Sequence, residues 1–273
     1  MHIVESNGAR IPALGLGTWD IRGAQCVEIV AEGLRIGYRH VDTAASYENE
    51  REVGEGIRAS GVAREDIFLT TKVWYDRIMA GELEASAEES VARLGVDHVD
   101  LLLVHWPNPA VPVKETMEAI ARVKRAGLAR NIGISNFTAA LVEEAVAVSQ
   151  EPIVTNQIEY HPYLDQAKIM DACRRHGISV TAYCPIARGK VVGDPVMEAI
   201  AERHGRTATQ VALRWLVQQP GVIAIPRTSS KARLAENLDI DGFELSEAEM
   251  TEIAGLAHAD GRLVRASWAP DWD

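Results

Sequence analysis

Short apolar runs recur along the chain, spaced so that one amphipathic helix fits between each pair. They lie at residues 14–16, 38–41, 67–71, 99–104, 131–134, 154–158, 179–182 and 222–225. Between them apolar residues return with helical period, as at 26–36, 83–94, 116–125 and 168–175. Gly37, Gly61, Gly95, Gly127 and Gly177 close helical stretches, often just after Arg, Lys or His. Helices end this way because glycine takes the left-handed conformation without a Cβ penalty. Eight strands alternating with helices predict a closed (β/α)8 barrel, since parallel neighbours need right-handed helical crossovers. An open doubly wound sheet is the structural rival. Gly15-Leu16-Gly17 runs into Thr18-Trp19-Asp20 where a dinucleotide fingerprint needs a third glycine, and there is no Walker A loop.

The flanks depart from this alternation. Asn7-Gly8 between two short apolar runs predicts a β-hairpin, placed to cap the bottom of the barrel. Asp194-Pro195 begins an extra helix inside the least regular stretch, 186–207. Ser246-Glu247-Ala248-Glu249 is a capping-box pattern that starts an extra C-terminal helix. Beyond it Trp268 and Trp272 lie outside any regular pattern, and either fold over the barrel rim or fray into solvent. With no linker or low-complexity segment, residues 1–273 are expected to form one barrel domain with a C-terminal tail.

The 273 residues are 47% hydrophobic and 25% charged, a balance that suits a globule with a sizeable core. A net charge of −11 argues against a nucleic-acid partner, which calls for a basic face. It leaves room for a local basic pocket that takes a phosphorylated small molecule. Cys26, Cys173 and Cys184 have neither metal-ligand spacing nor an even number for a disulfide framework. Asp97, His98 and Asp100 are a polar strand entrance rather than a metal site, so no metal is expected. No charged, then apolar, leader opens the chain, and no run reaches the ~20 apolar residues that span a bilayer. A cytoplasmic protein without a membrane partner is expected.

Chemistry gathers at the strand ends. Asp42 closes one run, with Tyr47 five residues further on; Lys72 closes the next and His105 the one after. In a β/α barrel the C-terminal rim is where catalysis is done. A phenol is a poor acid near neutrality, with an ordinary pKa of about 10. An ammonium beside it favours the phenolate, and a carboxylate keeps that ammonium charged and oriented. A neighbouring imidazole can orient a substrate oxygen. Such a set can protonate an oxyanion forming on a carbonyl, but no amino acid supplies hydride, so the redox half needs a cofactor. Trp19, Trp74 and Trp106 follow strands and are expected to line a substrate pocket, since ligand sites favour aromatics with few polar groups. Singly, each charge has a bland explanation as a turn cap or solvated strand end. His40 is a barrel histidine and His161 orders a loop; neither is given a role.

The motifs Gly15-Leu16-Gly17-Thr18-Trp19, Asp42-Thr43-Ala44-Ala45-Ser46-Tyr47, Thr71-Lys72-Val73-Trp74 and Leu103-Val104-His105-Trp106-Pro107 resemble those of the aldo-keto reductases. So do Ile132-Gly133-Ile134-Ser135-Asn136-Phe137, Asn156-Gln157-Ile158-Glu159-Tyr160-His161-Pro162 and Ala224-Ile225-Pro226-Arg227. The resemblance covers nearly the whole chain, and is nearest to the short bacterial branch that includes 2,5-diketogluconate and glyoxal reductases. It implies a monomeric NADPH-dependent reductase of small aldehydes, ketones or α-dicarbonyls. In it Tyr47 is the general acid, Lys72 lowers its pKa, Asp42 holds Lys72 and His105 orients the carbonyl. It further implies that Ser135, Asn136 and Gln157 bond the nicotinamide carboxamide while Tyr183 stacks on the ring. Arg227, Thr228, Arg233, Glu236 and Asn237 would grip the adenosine 2′-phosphate and adenine.

Two departures stand out. Arg227 and Thr228 replace the usual lysine and serine; arginine can clamp a phosphate bidentately, so NADPH stays favoured over NADH. Cys184 and Ile186 replace the usual serine and leucine, and a thiol beside the cofactor would be open to oxidation. The competing function is a cofactor-binding regulatory or structural protein on the same scaffold, as in potassium-channel β-subunits. Hydrolysis or isomerisation is disfavoured for want of a metal cluster or activated serine.

Overall fold

The structure is a computed structural model that describes residues 2–273. Strands β1 (Ile3–Ser6) and β2 (Ala9–Pro12) pair antiparallel. Asn7 and Gly8 both take positive φ, 44° and 89°, the conformation a two-residue hairpin turn demands. The hairpin caps the barrel floor, as the sequence predicts. Ser6 Oγ donates to the carbonyls of Val154 and Gly177 at 2.6 and 2.9 Å, and Asn7 Nδ2 to those of Ile153 and His176 at 2.7 and 3.1 Å.

Eight parallel strands follow in sequential order. They are β3 (Leu16–Gly17), β4 (His40–Asp42), β5 (Phe68–Val73), β6 (Val99–Val104), β7 (Ala129–Ser135), β8 (Ile153–Glu159), β9 (Ser179–Tyr183) and β10 (Val222–Ala224). The ring closes between first and last. Leu14 bridges Ala224, Gly17 bridges Arg227, and the Gly15 and Gly17 amides donate to the carbonyls of Ala224 and Pro226 at 2.8 and 3.0 Å. Glycine is required at this seam: a Cβ on Gly17 would lie 2.9 Å from the Ile225 carbonyl oxygen. The expected barrel is present and the doubly wound rival is not.

The crossovers are α1 (Gly23–Ile36), α2 (Glu50–Ser60), α3 (Glu82–Leu94), α4 (Val113–Arg125), α5 (Ala139–Val148) and α6 (Ala167–Arg175). Between β9 and β10 the chain makes two helices, α7 (Pro195–His204) and α8 (Ala208–Val217). Asp194 caps α7 as predicted, its carboxylate accepting from the Val196 and Met197 amides. Then come α9 (Lys231–Leu238) and α10 (Glu247–Ala254), the latter opened by the Ser246–Glu249 capping box.

Strand periodicity stacks the barrel interior in layers, because residues two apart share a face. In a lower layer His40 Nε2 meets Thr70 Oγ1 at 3.1 Å, and the Thr155 and Thr181 hydroxyls meet at 2.8 Å. His40 is thus a barrel histidine. The next layer up brings Asp42, Lys72, Gln157 and Tyr183 to the rim. One boundary differs from the sequence expectation: Lys72 does not end its strand but lies inside β5, fully buried.

Candidate active site

Asp42, the last residue of β4, accepts from Lys72 Nζ at 2.5 Å through Oδ1 and from Gln157 Nε2 at 2.8 Å through Oδ2. Lys72 also donates to the Thr43 carbonyl at 2.8 Å and the Tyr47 hydroxyl at 3.2 Å. All three ammonium protons therefore have acceptors, which is what a buried cation needs. Tyr47 ends a 3₁₀ turn (Ala45–Tyr47), and Glu48 then turns the chain away with φ of 56°. The phenol is held over Lys72, whose Nζ lies 4.9 Å from the ring centroid.

His105 stands just past β6, its amide bonded to the Val73 carbonyl at 3.0 Å. Its ring packs edge-on to Tyr47 at 5.7 Å, and Nδ1 lies 3.4 Å from Ser46 Oγ. Burial, with the Lys72 charge adding to it, pushes the His105 pKa well below the usual histidine value, so the ring is neutral at pH 7. Lys72 is desolvated as well, but the Asp42 charge and its hydrogen bonds prevail and raise its pKa, keeping it an ammonium. Burial raises the Tyr47 pKa despite the downward pull of Lys72. The net direction is opposite to the lowering expected from Lys72 alone, because desolvation of the partly buried phenol outweighs the ammonium. The site holds a protonated phenol wired to a charged ammonium beside a neutral imidazole, and such a group can deliver a proton to an oxygen.

Ser135, Asn136, Gln157 and Tyr183 join the same network. Ser135 Oγ donates to the Gln157 carbonyl at 2.8 Å, and Asn136 Nδ2 to the His105 carbonyl at 3.0 Å. Tyr183 Oη donates to Asn136 Oδ1 at 2.7 Å. Asn136 holds φ of 62°, a left-handed conformation that asparagine tolerates better than most residues. Trp74 packs on the His105 ring at 5.1 Å, and Trp106 is buried next to it in sequence.

The remaining sequence-predicted residues form a second group across the β3–β10 seam. Arg227 donates through Nε and Nη2 to the Trp19 and Asp20 carbonyls at 3.0 and 2.8 Å. Thr228 is buried and its hydroxyl accepts from the Ser230 amide at 3.1 Å. Arg233 is exposed on α9 and pairs with no acid among the described residues, Glu236 accepts from Thr207 Oγ1 at 2.7 Å, and Asn237 is buried. Trp19 joins this group through its carbonyl; its side chain is half exposed, with Arg188 5.7 Å over the ring. Burial raises the Cys184 pKa, holding it as a thiol and blunting the reactivity expected beside a cofactor.

Sequence reasoning missed the tail contacts. Glu159 is fully buried at the end of β8, where its carboxylate accepts from the Leu263 and Val264 amides at 2.6 and 2.8 Å. His161 Nε2 is 3.0 Å away on the same carboxylate, a loop-ordering role. Trp268 stacks on Tyr75 at 5.5 Å and meets Trp74 edge-on at 5.7 Å, while Trp272 packs on Trp106 at 6.2 Å. The tail therefore folds over the rim. The one signal in the sequence was an acid at the end of a strand, Glu159.

Comparison with known proteins agrees with this geometry. The model of the aldo/keto reductase family matches residues 13–258. Methylglyoxal reductase DkgB of Yersinia pestis is 42% identical over 266 residues, spanning 96% of this chain and 99% of that protein. A crystal structure described as that of a "putative 2,5-diketo-D-gluconic acid reductase B" superposes with a TM-score of 0.98 at 52% identity, covering 100% of this chain and 98% of the other. A Bombyx mori aldo-keto reductase in complex with NADP superposes with a TM-score of 0.90 at 33% identity, covering 97% and 95%.

Proposed function

This chain belongs to the aldo/keto reductase family, and from that premise we propose that it is an NADPH-dependent reductase of aldehydes, ketones and α-dicarbonyls with Tyr47 as proton donor. The observation that carries the assignment is the chain of hydrogen bonds Asp42–Lys72–Tyr47 beside a neutral His105. The substrate carbonyl oxygen docks between Tyr47 Oη and the His105 ring. With Nδ1 accepting from Ser46, the His105 proton sits on Nε2, from which it donates to that oxygen. As negative charge develops there, the Tyr47 proton moves across and Lys72 stabilises the phenolate left behind. Asp42 keeps Lys72 charged and fixed, so little reorganises during the transfer.

The residues present suit a nicotinamide dinucleotide phosphate. Ser135, Asn136 and Gln157 present hydroxyl and amide groups beside Tyr183 for the carboxamide and ring. Arg227 and Arg233 flank the start of α9, whose first N–H groups have no side-chain cap. Uncapped helical amides with arginines favour a phosphate. Bound there, the cofactor supplies the hydride that no side chain can.

Replacing Tyr47 with phenylalanine tests the assignment, with methylglyoxal and phenylglyoxal as substrates. Loss of a positioned acid costs about 10²–10⁴-fold in turnover, and NADP binding, followed by protein fluorescence, should persist. Undiminished turnover by Tyr47→Phe would overturn the role. NADPH binding with no turnover by the native protein would favour a regulatory function instead.

A further inference from the structure

Glu50 is a buried charge that the proton transfer does not use. It opens α2 and is only 1% exposed. Its Oε1 accepts from the Thr71 hydroxyl at 2.5 Å and its Oε2 from Arg93 Nε on α3 at 2.7 Å. A buried ion pair can often be replaced by well-packed apolar side chains without loss of stability. The pair on Glu50 therefore calls for a role in placement as well as in stability.

What it places is the segment that carries Tyr47. Residues 43–50 are sewn onto three consecutive residues of β5. The Thr43 amide donates to the Thr70 carbonyl at 2.9 Å, Glu50 takes the Thr71 hydroxyl, and the Thr43 carbonyl takes Lys72 Nζ at 2.8 Å. Neighbours on a strand point to opposite faces, so Thr71 turns outward to Glu50 while Lys72 turns inward to Asp42. The Thr43 hydroxyl donates to Asn49 Oδ1 at 2.8 Å and draws the segment into a closed loop. Asn49 is fully buried and donates to the Thr18 and Ile21 carbonyls at 2.8 and 2.9 Å. Tyr47 stands inside this loop, three residues before Glu50, with its hydroxyl 3.2 Å from Lys72 Nζ.

Helix α2 itself has a fixed seat. One turn beyond Glu50, a Cβ on Gly54 would lie 2.0 Å from the Leu94 carbonyl oxygen, so α2 rests directly on the end of α3. Arg93, beside Leu94, also reaches Ser90 Oγ at 3.1 Å and Glu89 at 3.5 Å. Glu89 in turn is held by both Nη groups of Arg77, in the turn after β5.

We propose that Glu50 is a positioning residue for the proton donor, holding the Tyr47 hydroxyl over Lys72 through its bond to Thr71. This rests on the reductase function proposed above and adds a residue to it. The spacing of donor and ammonium is then set from behind the strand rather than from within the barrel.

Thr71→Val removes the hydroxyl and leaves the rest of the network. Turnover of methylglyoxal should fall about 10- to 100-fold, as it does when a reacting group is slightly misplaced, with KM for aldehyde and NADPH unchanged. Thr71→Ser restores the bond and should recover most of kcat. Arg93→Met removes the other partner of Glu50; it should lower Tm at least as much as Thr71→Val yet slow turnover less. Losses of kcat that follow Tm across the two variants, or a rise in KM as large as the fall in kcat, would overturn the assignment. If Thr71→Val fails to fold, Glu50→Gln carries the same test, since its amide offers one acceptor to two donors. Crystal structures separate this proposal from the reductase reading. In Thr71→Val the Tyr47 hydroxyl should lie beyond hydrogen-bond reach of Lys72 Nζ, more than about 3.5 Å away. That displacement in a protein that reduces no aldehyde would sink the reductase reading alone, and an unmoved hydroxyl would overturn the role of Glu50.

Discussion

Single residues at this site are defined by enclosure more than by charge. His40 and His105 look alike in the sequence, each an imidazole at or near a strand end. One faces Thr70 inside the barrel and the other the open rim. The period-two alternation of strands separates them only once the register is known. Both have pKa values lowered from 6.5, with burial the leading cause in each. In the unfolded chain they take up protons near pH 6.5, while in the folded protein they stay neutral. The unfolded state then binds more protons, so stability is full above pH 6.5 and is lost as pH falls below it. Thermal unfolding should show a falling Tm between pH 7 and 5, at up to about 1.4 kcal/mol per pH unit for each histidine. His105→Asn should flatten that slope. A Tm constant over this window would show that neither ring resists protonation. The Tyr47 pKa was not legible from neighbours alone, because the sequence shows Lys72 nearby but not that desolvation of the phenol outweighs it.

At the scale of elements, alternation and turn chemistry made the barrel strands, the hairpin, the α7 cap and the α10 capping box legible. Their signals are local: periodicity, Asn-Gly, Asp-Pro and Ser-x-x-Glu. The tail was not legible, because its partners lie far off in sequence and it has no period of its own. Glu159 reaches Leu263 across 104 residues, and Trp268 finds Tyr75 and Trp74 on the far side of the rim. Glu159 is therefore the anchor from which the tail extends over the mouth. Glu159→Gln would turn an NH2 toward one of two amides that both need an acceptor, leaving a buried donor unpaired at a cost of about 1–3 kcal/mol. Hydrogen exchange across residues 262–272 should quicken, and KM for carbonyl substrates should rise more than kcat falls. Unchanged exchange would mean that the aromatic contacts alone hold the tail down.

For the whole molecule, closure of the barrel and the two halves of the candidate site are one problem. The Asp42–Lys72–Tyr47–His105 group is built on and just past β4, β5 and β6, whereas Arg227 stands across the seam on the chain leaving β10. The seam is drawn tight by backbone bonds and by Arg227, which reaches over to the Trp19 and Asp20 carbonyls. Gly17→Ala puts a methyl group 2.9 Å from the Ile225 carbonyl oxygen, backbone that cannot swing aside as a side chain can. The strands must part slightly, at a cost of about 1–3 kcal/mol if it resembles overpacking of a core. In a chain this size that lowers Tm by roughly 2–4 °C per kcal/mol. Parting the seam also shifts Arg227, so KM for NADPH should rise while KM for NADH changes little. Arg227→Ala should reproduce the cofactor effect without the loss of Tm, because the backbone bonds of the seam survive it. If Gly17→Ala lowered Tm but left the NADPH preference intact, the seam would be a purely structural closure and the phosphate grip would lie elsewhere on α9.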